Sequence, residues 1–123
     1  MDKRFEVTLQ NDIKTNVWFT TDNNEMNEKI LSLSPSYLIV TDENSLKYSP
    51  DKERTVVLKS GEENKNWESL EKILSFALNH SMARDGVFVA IGGGVVCDMT
   101  ALASALFMRG ARLVLCPTTL LSG

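Results

Sequence analysis

The sequence predicts an α/β fold: a doubly wound, mostly parallel sheet with helices on both faces. Three observations lead there. Runs that are apolar at nearly every position recur along the chain, in "YLIVTDEN" (37–44), "GVFVAI" (86–91) and "ARLVLCPTT" (111–119). Strands apolar on both faces belong in a sheet covered from both sides. Segments with apolar residues at helical spacing separate these runs, and glycines gather where a strand should give way to a helix, as in "IGGGVV". Glycine weakens both strands and helices, so three in succession mark either a sharp bend or a surface that something must approach closely.

The elements follow in order. "RFEVTL" (4–9) and "VWFT" (17–20) are β-rich runs around the turn-forming "QNDIKTN". Residues 24–34 read as a helix stopped by Pro35. The strand at 37–44 runs into a polar loop, and "RTVVLKS" (54–60) is the next strand. In residues 66–81, Trp67, Leu70, Leu74, Ala77 and Leu78 form a helical stripe, with Asn66 placed as its N-cap. The strand at 86–91 then leads through the glycines into an apolar helix at about residues 95–108, and the strand at 111–119 closes the series. Its alternation of strand and helix is Rossmann-like.

Composition narrows the function. The 123 residues suit one domain, and a formal net charge of -3 without any Lys/Arg block gives no footprint for nucleic acid or anionic membrane. No uncharged run reaches the roughly 18 apolar residues that a bilayer span requires. The N-terminus lacks the apolar core of a signal peptide, so a cytoplasmic location is expected. Cys97 and Cys116 read as reduced core thiols, and His80 as a surface residue near a helix end. From Gly86 to Gly123 the charged residues are Asp98, Arg109 and Arg112 alone. So apolar a stretch is expected at the centre of a domain or against another one, and we expect the chain to be truncated before a further domain.

In a parallel doubly wound sheet, ligands bind beyond the carboxyl ends of the strands. Four such exits carry polar groups. Gly92, Gly93, Gly94 and Val95 open a helix whose first N–H groups suit a phosphate; a merely tight strand–helix turn is the alternative. Asp98, one turn on, either offsets the helix dipole or accepts hydrogen bonds from a ligand. Glu62 and Lys65 in "SGEENK" (60–65) are solvated loop charges or ligand contacts. Asp42 and Asn44 in "TDEN" (41–44) are loop caps or ribose-binding groups. Thr118 and Thr119 place two hydroxyls after the final strand.

Taken in order, "TDEN", "GEENK", "GGGVVCD", "MRG" and "PTTLL" resemble the N-terminal NAD-binding domain of 3-dehydroquinate synthase and its sugar-phosphate cyclase relatives. The resemblance runs from about Tyr37 to Leu121. It implies that Asp42, Asn44, Glu62 and Lys65 meet the adenosine half of NAD, and that Gly93, Gly94 and Val95 hold the pyrophosphate. It further implies that Asp98 lies near the nicotinamide ribose and that Thr118, Thr119 and Leu121 line the adenine and ribose pocket. Arg109 corresponds to an arginine that reaches a neighbouring subunit's site and binds the substrate phosphate, so a homodimer is implied. Cys97 departs from a more usual glycine, and "TAL" (100–102) from a small-glycine-aromatic stretch.

By this resemblance, residues 1–123 are the NAD-binding domain of an enzyme that eliminates phosphate from a seven-carbon keto-sugar phosphate and closes a ring, in the shikimate pathway to aromatic amino acids. No catalytic residue is assigned within the chain, and alone it is expected to be inactive. A divalent metal, zinc or cobalt, is implied only with a helical C-terminal domain. Two alternatives stand beside this: the NAD domain of a metal-dependent alcohol or glycerol dehydrogenase, and a non-catalytic nucleotide-binding module.

Overall fold

Extended, β-branched segments pair wherever their backbones can share a ladder, and the helices between them bury their apolar stripes on the resulting faces. The computed structural model describes residues 3–8, 14–19, 23–32, 36–80, 82, 86–107 and 112–118. Arg109, Thr119 and Leu121 lie outside the described residues. Two strands, β1 (Lys3–Thr8) and β2 (Lys14–Phe19), form an antiparallel pair with Lys3 opposite Phe19 and Thr8 opposite Lys14. The second strand therefore begins earlier than the sequence suggests, because six-residue pairing draws the polar Lys14–Asn16 into the ladder.

The remaining elements are α1 (Asn23–Leu31), β3 (Tyr37–Asp42), β4 (Thr55–Leu58), α2 (Trp67–Asn79), β5 (Val87–Gly92), α3 (Gly94–Leu106) and β6 (Arg112–Pro117). The last four strands make a wholly parallel sheet in the order β4-β3-β5-β6. Both faces are covered. On one, Leu38, Val40, Val56, Leu58, Phe88 and Ala90 pack with Leu70, Ile73 and Ala77 of α2 and with Val96, Met99 and Ala103 of α3. On the other, Ile39, Val87, Val89 and Ile91 pack with Met26 and Ile30 of α1. Strand β5 is buried along its full length, which explains its unbroken apolar run.

One expectation needs correction. The buried stripe of α2 is Leu70, Ile73 and Ala77, whereas Trp67 (74% exposed) and Leu78 (63%) lie off it. Asn66 sets the phase of the helix: its side chain accepts from Ser69 N at 3.0 Å. The apolar C-terminal stretch is central at β5 and open at β6. Strand β6 pairs with β5 alone among the described strands, and Leu113 and Leu115 remain exposed. His80 caps the C-terminus of α2, exposed, its ring stacked on Phe76.

Strand order locates the crevice. From β3 the chain passes to β4 on one side, while from β5 it passes through α3 to β6 on the other. Neighbouring strands whose connections diverge leave an opening at their carboxyl ends. Here those ends are Asp42 and Gly92.

Candidate functional site

At the β5 exit the three glycines perform two different tasks. Gly92 is the last residue of the strand and is buried; a Cβ there would stand 2.8 Å from the Cβ and Cγ2 atoms of Val96. Its missing side chain lets the first turn of α3 close on the strand. A Cβ on Gly93 or Gly94 would meet nothing within 4 Å, and both residues are exposed. Gly93 is the N-cap of α3, extended at φ -85° and ψ -163°, and among the described residues no side chain caps it. The chain bends at Gly93 between strand and helix, and it does so without a positive φ at any of the three glycines. What remains is an open, uncapped helix start, with a half-buried Val95 beside it.

The glycine that needs its conformational freedom is Gly61, at φ 112°, in the turn after β4. A Cβ there would lie 2.7 Å from the Glu63 carboxylate oxygens. Gly61 reverses the chain into a short 3₁₀ turn, Glu62–Asn64, and so delivers Lys65 toward the neighbouring exit. The Lys65 ammonium lies 2.7 Å from Asp98 Oδ2, in the first turns of α3, and 3.6 Å from Glu62 Oε1. The hydrogen bond that Lys65 donates to Asp98, and then the charges of Asp98 and Glu62, push the lysine above its usual range and keep it cationic. Asp98 and Lys65, separate motifs in the sequence, are thus one ion pair.

At the β3 exit, Asp42 Oδ1 accepts from Ser45 N at 2.8 Å, an Asx-type cap that shapes the loop. Asn44 Nδ2 donates to Ser60 Oγ at 3.1 Å. Ser60 in turn donates to Glu43 Oε1 through its hydroxyl at 2.9 Å and its N–H at 3.2 Å. The loops after β3 and β4 are therefore joined. The sequence reading passed over Glu43, Ser60 and Gly61. The "SG" turn signal marks the last of these, but nothing in the sequence reveals a bond between residues 17 positions apart. Thr118 directly follows β6, whose Pro117 pairs with Gly92, so its position is beside the glycine turn. Cys97, in the first turn of α3, is half-buried with its thiol pushed up by burial and by nearby Asp98. Among the described residues no group of three or more His, Cys, Asp or Glu side chains could hold a metal ion, and no helix is long and apolar enough to cross a membrane.

Fold and site together define a doubly wound α/β domain with an open glycine turn at its switch point, an architecture suited to phosphate-bearing ligands. A family model described as 3-dehydroquinate synthase N-terminal matches residues 55–123. The chain belongs to the 3-dehydroquinate synthase family. It is 33% identical to the 3-dehydroquinate synthase of Clostridium tetani over 137 residues, covering 98% of this chain and 36% of that protein. To the enzyme of Shewanella frigidimarina it is 50% identical over 68 residues, covering 55% of this chain and 19% of the relative. The chain thus spans about a fifth to a third of the length of these relatives. Among solved structures, a 2-deoxy-scyllo-inosose synthase superposes with a TM-score of 0.74 at 21% identity, covering 94% of this chain and 36% of that one. A second structure of that synthase, complexed with carbaglucose-6-phosphate, NAD+ and Co2+, gives 0.74 at 18% identity, covering 94% of this chain and 35% of that one. These two likenesses bear on the fold, which they share with this chain.

Proposed function

We propose that this chain is the NAD-binding portion of a 3-dehydroquinate synthase that converts a seven-carbon keto-sugar phosphate with loss of phosphate. The observation that carries the reading is the open α3 N-terminus at Gly93–Gly94, uncapped by any described side chain, with Lys65 paired to Asp98 a turn along the same helix. A dinucleotide fits what is there: the amides of Gly94 and Val95 hold the pyrophosphate, and Lys65 supplies a cation beside it. Asp98, Asp42 and Asn44 accept from ribose hydroxyls. Glu62 holds Lys65 in place, and Thr118 borders the nucleotide, with Thr119 and Leu121 further along the chain. Arg109 binds the substrate phosphate from across a homodimer.

When bound, NAD supplies a reversible hydride acceptor, and this chain orients it. No step through a metal is assigned to these residues; zinc or cobalt is held by a domain beyond them. The reaction belongs to the cytoplasmic shikimate pathway, and residues 1–123 alone are inactive. The test is calorimetric titration of the complete protein with NAD, paired with a phosphate-release assay on the keto-sugar phosphate. Phosphate release without net NADH is expected. A folded protein that binds no NAD would refute the reading, and net NADH accumulation would point to the dehydrogenase alternative.

A further inference from the structure

Ser60 sits at the centre of a hydrogen-bond chain that runs in one direction. Glu43, at one end, is held below the usual carboxylate range by the N–H and hydroxyl of Ser60, so at neutral pH it only accepts. Ser60 has a single hydroxyl proton, and Glu43 Oε1 takes it at 2.9 Å. Toward Asn44 the Ser60 oxygen can therefore only accept. The Asn44 amide must turn its NH₂ to Ser60, at 3.1 Å, and no described residue donates to its carbonyl oxygen. Asn64 fixes the other side of Ser60 by donating to its backbone carbonyl at 2.8 Å. The pairing of Asp42 with Leu58 in the sheet brings the two loops together.

We propose that Glu43 and Ser60 are positioning residues that fix the direction of the Asn44 amide, so that it offers an acceptor oxygen to the hydroxyls of an unphosphorylated adenosine ribose. The proposal rests on the NAD reading above and adds to it the residues that set cofactor selectivity. An acceptor oxygen matches a ribose hydroxyl and repels a 2′-phosphate; a freed amide can turn its NH₂ toward that phosphate instead. Neither Glu43 nor Ser60 needs to touch the cofactor for this to hold. Their effect passes through Asn44.

The experiment measures NAD and NADP affinities of the complete protein by titration, together with its thermal midpoint. Wild type is expected to prefer NAD. Ser60→Ala should narrow the NAD-to-NADP ratio by roughly 3- to 10-fold, the scale of one neutral hydrogen bond. Glu43→Ala should narrow it similarly, since Ser60 is then free to donate to Asn44. Glu43→Gln, which keeps the same acceptor oxygen, should restore the ratio. A loop staple without directional effect would weaken both cofactors equally, and an unchanged ratio in folded Ser60→Ala and Glu43→Ala overturns the proposal. Wild type that binds neither cofactor overturns the NAD reading and the proposal with it; a lost effect on the ratio alone overturns only the second.

Discussion

Alanine at each of the three consecutive glycines should give two separable outcomes, one at Gly92 and another at Gly93 and Gly94. At Gly92 the new methyl carbon would sit 2.8 Å from two Val96 carbons and 3.1 Å from a third. Val96 is only 1% exposed, wedged among the side chains between α3 and the sheet, so it has no room to withdraw. Overpacking of this kind costs about 1–3 kcal/mol. Gly93→Ala and Gly94→Ala meet open space at ordinary φ, and at Gly94, the first residue of α3, alanine should be neutral or stabilising by up to about 1 kcal/mol. Cofactor affinity should move the other way. A methyl group at 93 or 94 intrudes where a diphosphate would approach the amides, and NAD binding should weaken by roughly 10-fold or more, the scale of a lost charge-assisted hydrogen bond. Urea denaturation and NAD titration of the same variants read both quantities. The reasoning is refuted if Gly92→Ala is as stable as wild type, or if Gly93→Ala and Gly94→Ala bind NAD unchanged.

Other outcomes follow from single groups. Lys65→Met should weaken NAD roughly 10-fold or more while leaving the thermal midpoint almost unchanged, since exposed ion pairs add little stability. Thr41 is fully buried in β3 with a hydroxyl that finds no partner among the described residues; Thr41→Val should raise stability by about 1–2 kcal/mol in urea denaturation, and a loss would show that the hydroxyl is satisfied. Burial, and then neighbouring Cys97, pushes the Cys116 thiol up to about 12, so it should resist alkylation by iodoacetamide at pH 8 until the protein is unfolded. With the folded value raised, the unfolded chain releases this proton first, and stability should fall as pH rises from about 9 toward 12. Thermal denaturation across that window should show a smaller loss for Cys116→Val.

Much of the parallel sheet was legible because its strands are apolar at successive positions, a pattern that belongs to a sheet covered on both faces: "YLIV" and "VFVAI" became β3 and β5, both at the centre. The cap at Asn66 was legible for a local reason, since an N-cap bond spans only three residues. The α2 stripe was misphased because Trp67 and Leu78 are apolar without being buried, and composition alone does not record which way a helix faces. Contacts at long sequence separation were illegible. That Lys65 meets Asp98, or that Ser60 joins the β3 and β4 loops, depends on strand order, which no single-sequence pattern encodes.

Charge also determines how such a site can hold an anion. Five carboxylates, Asp42, Glu43, Glu62, Glu63 and Asp98, stand at these exits with Lys59 and Lys65, and Lys65 is paired with two of them. A diphosphate cannot be drawn to this edge by net charge, which is negative for the group and for the whole chain. The favourable term must be local: short hydrogen bonds from backbone amides at the start of α3, reachable because two residues there lack side chains. The carboxylates then have to lie where a dinucleotide presents hydroxyls rather than phosphates. On the NAD reading Asp42, on the β3 side of the glycine turn, and Asp98, a turn further along α3, would meet those hydroxyls, while Glu43 is held by Ser60. Glu62 and Asp98 both face the lysine, at 3.6 and 2.7 Å, and together hold the ammonium in place. On the NAD reading, the spacing of acid from glycine along the crevice, more than the presence of either, would make this edge of the sheet selective for a dinucleotide.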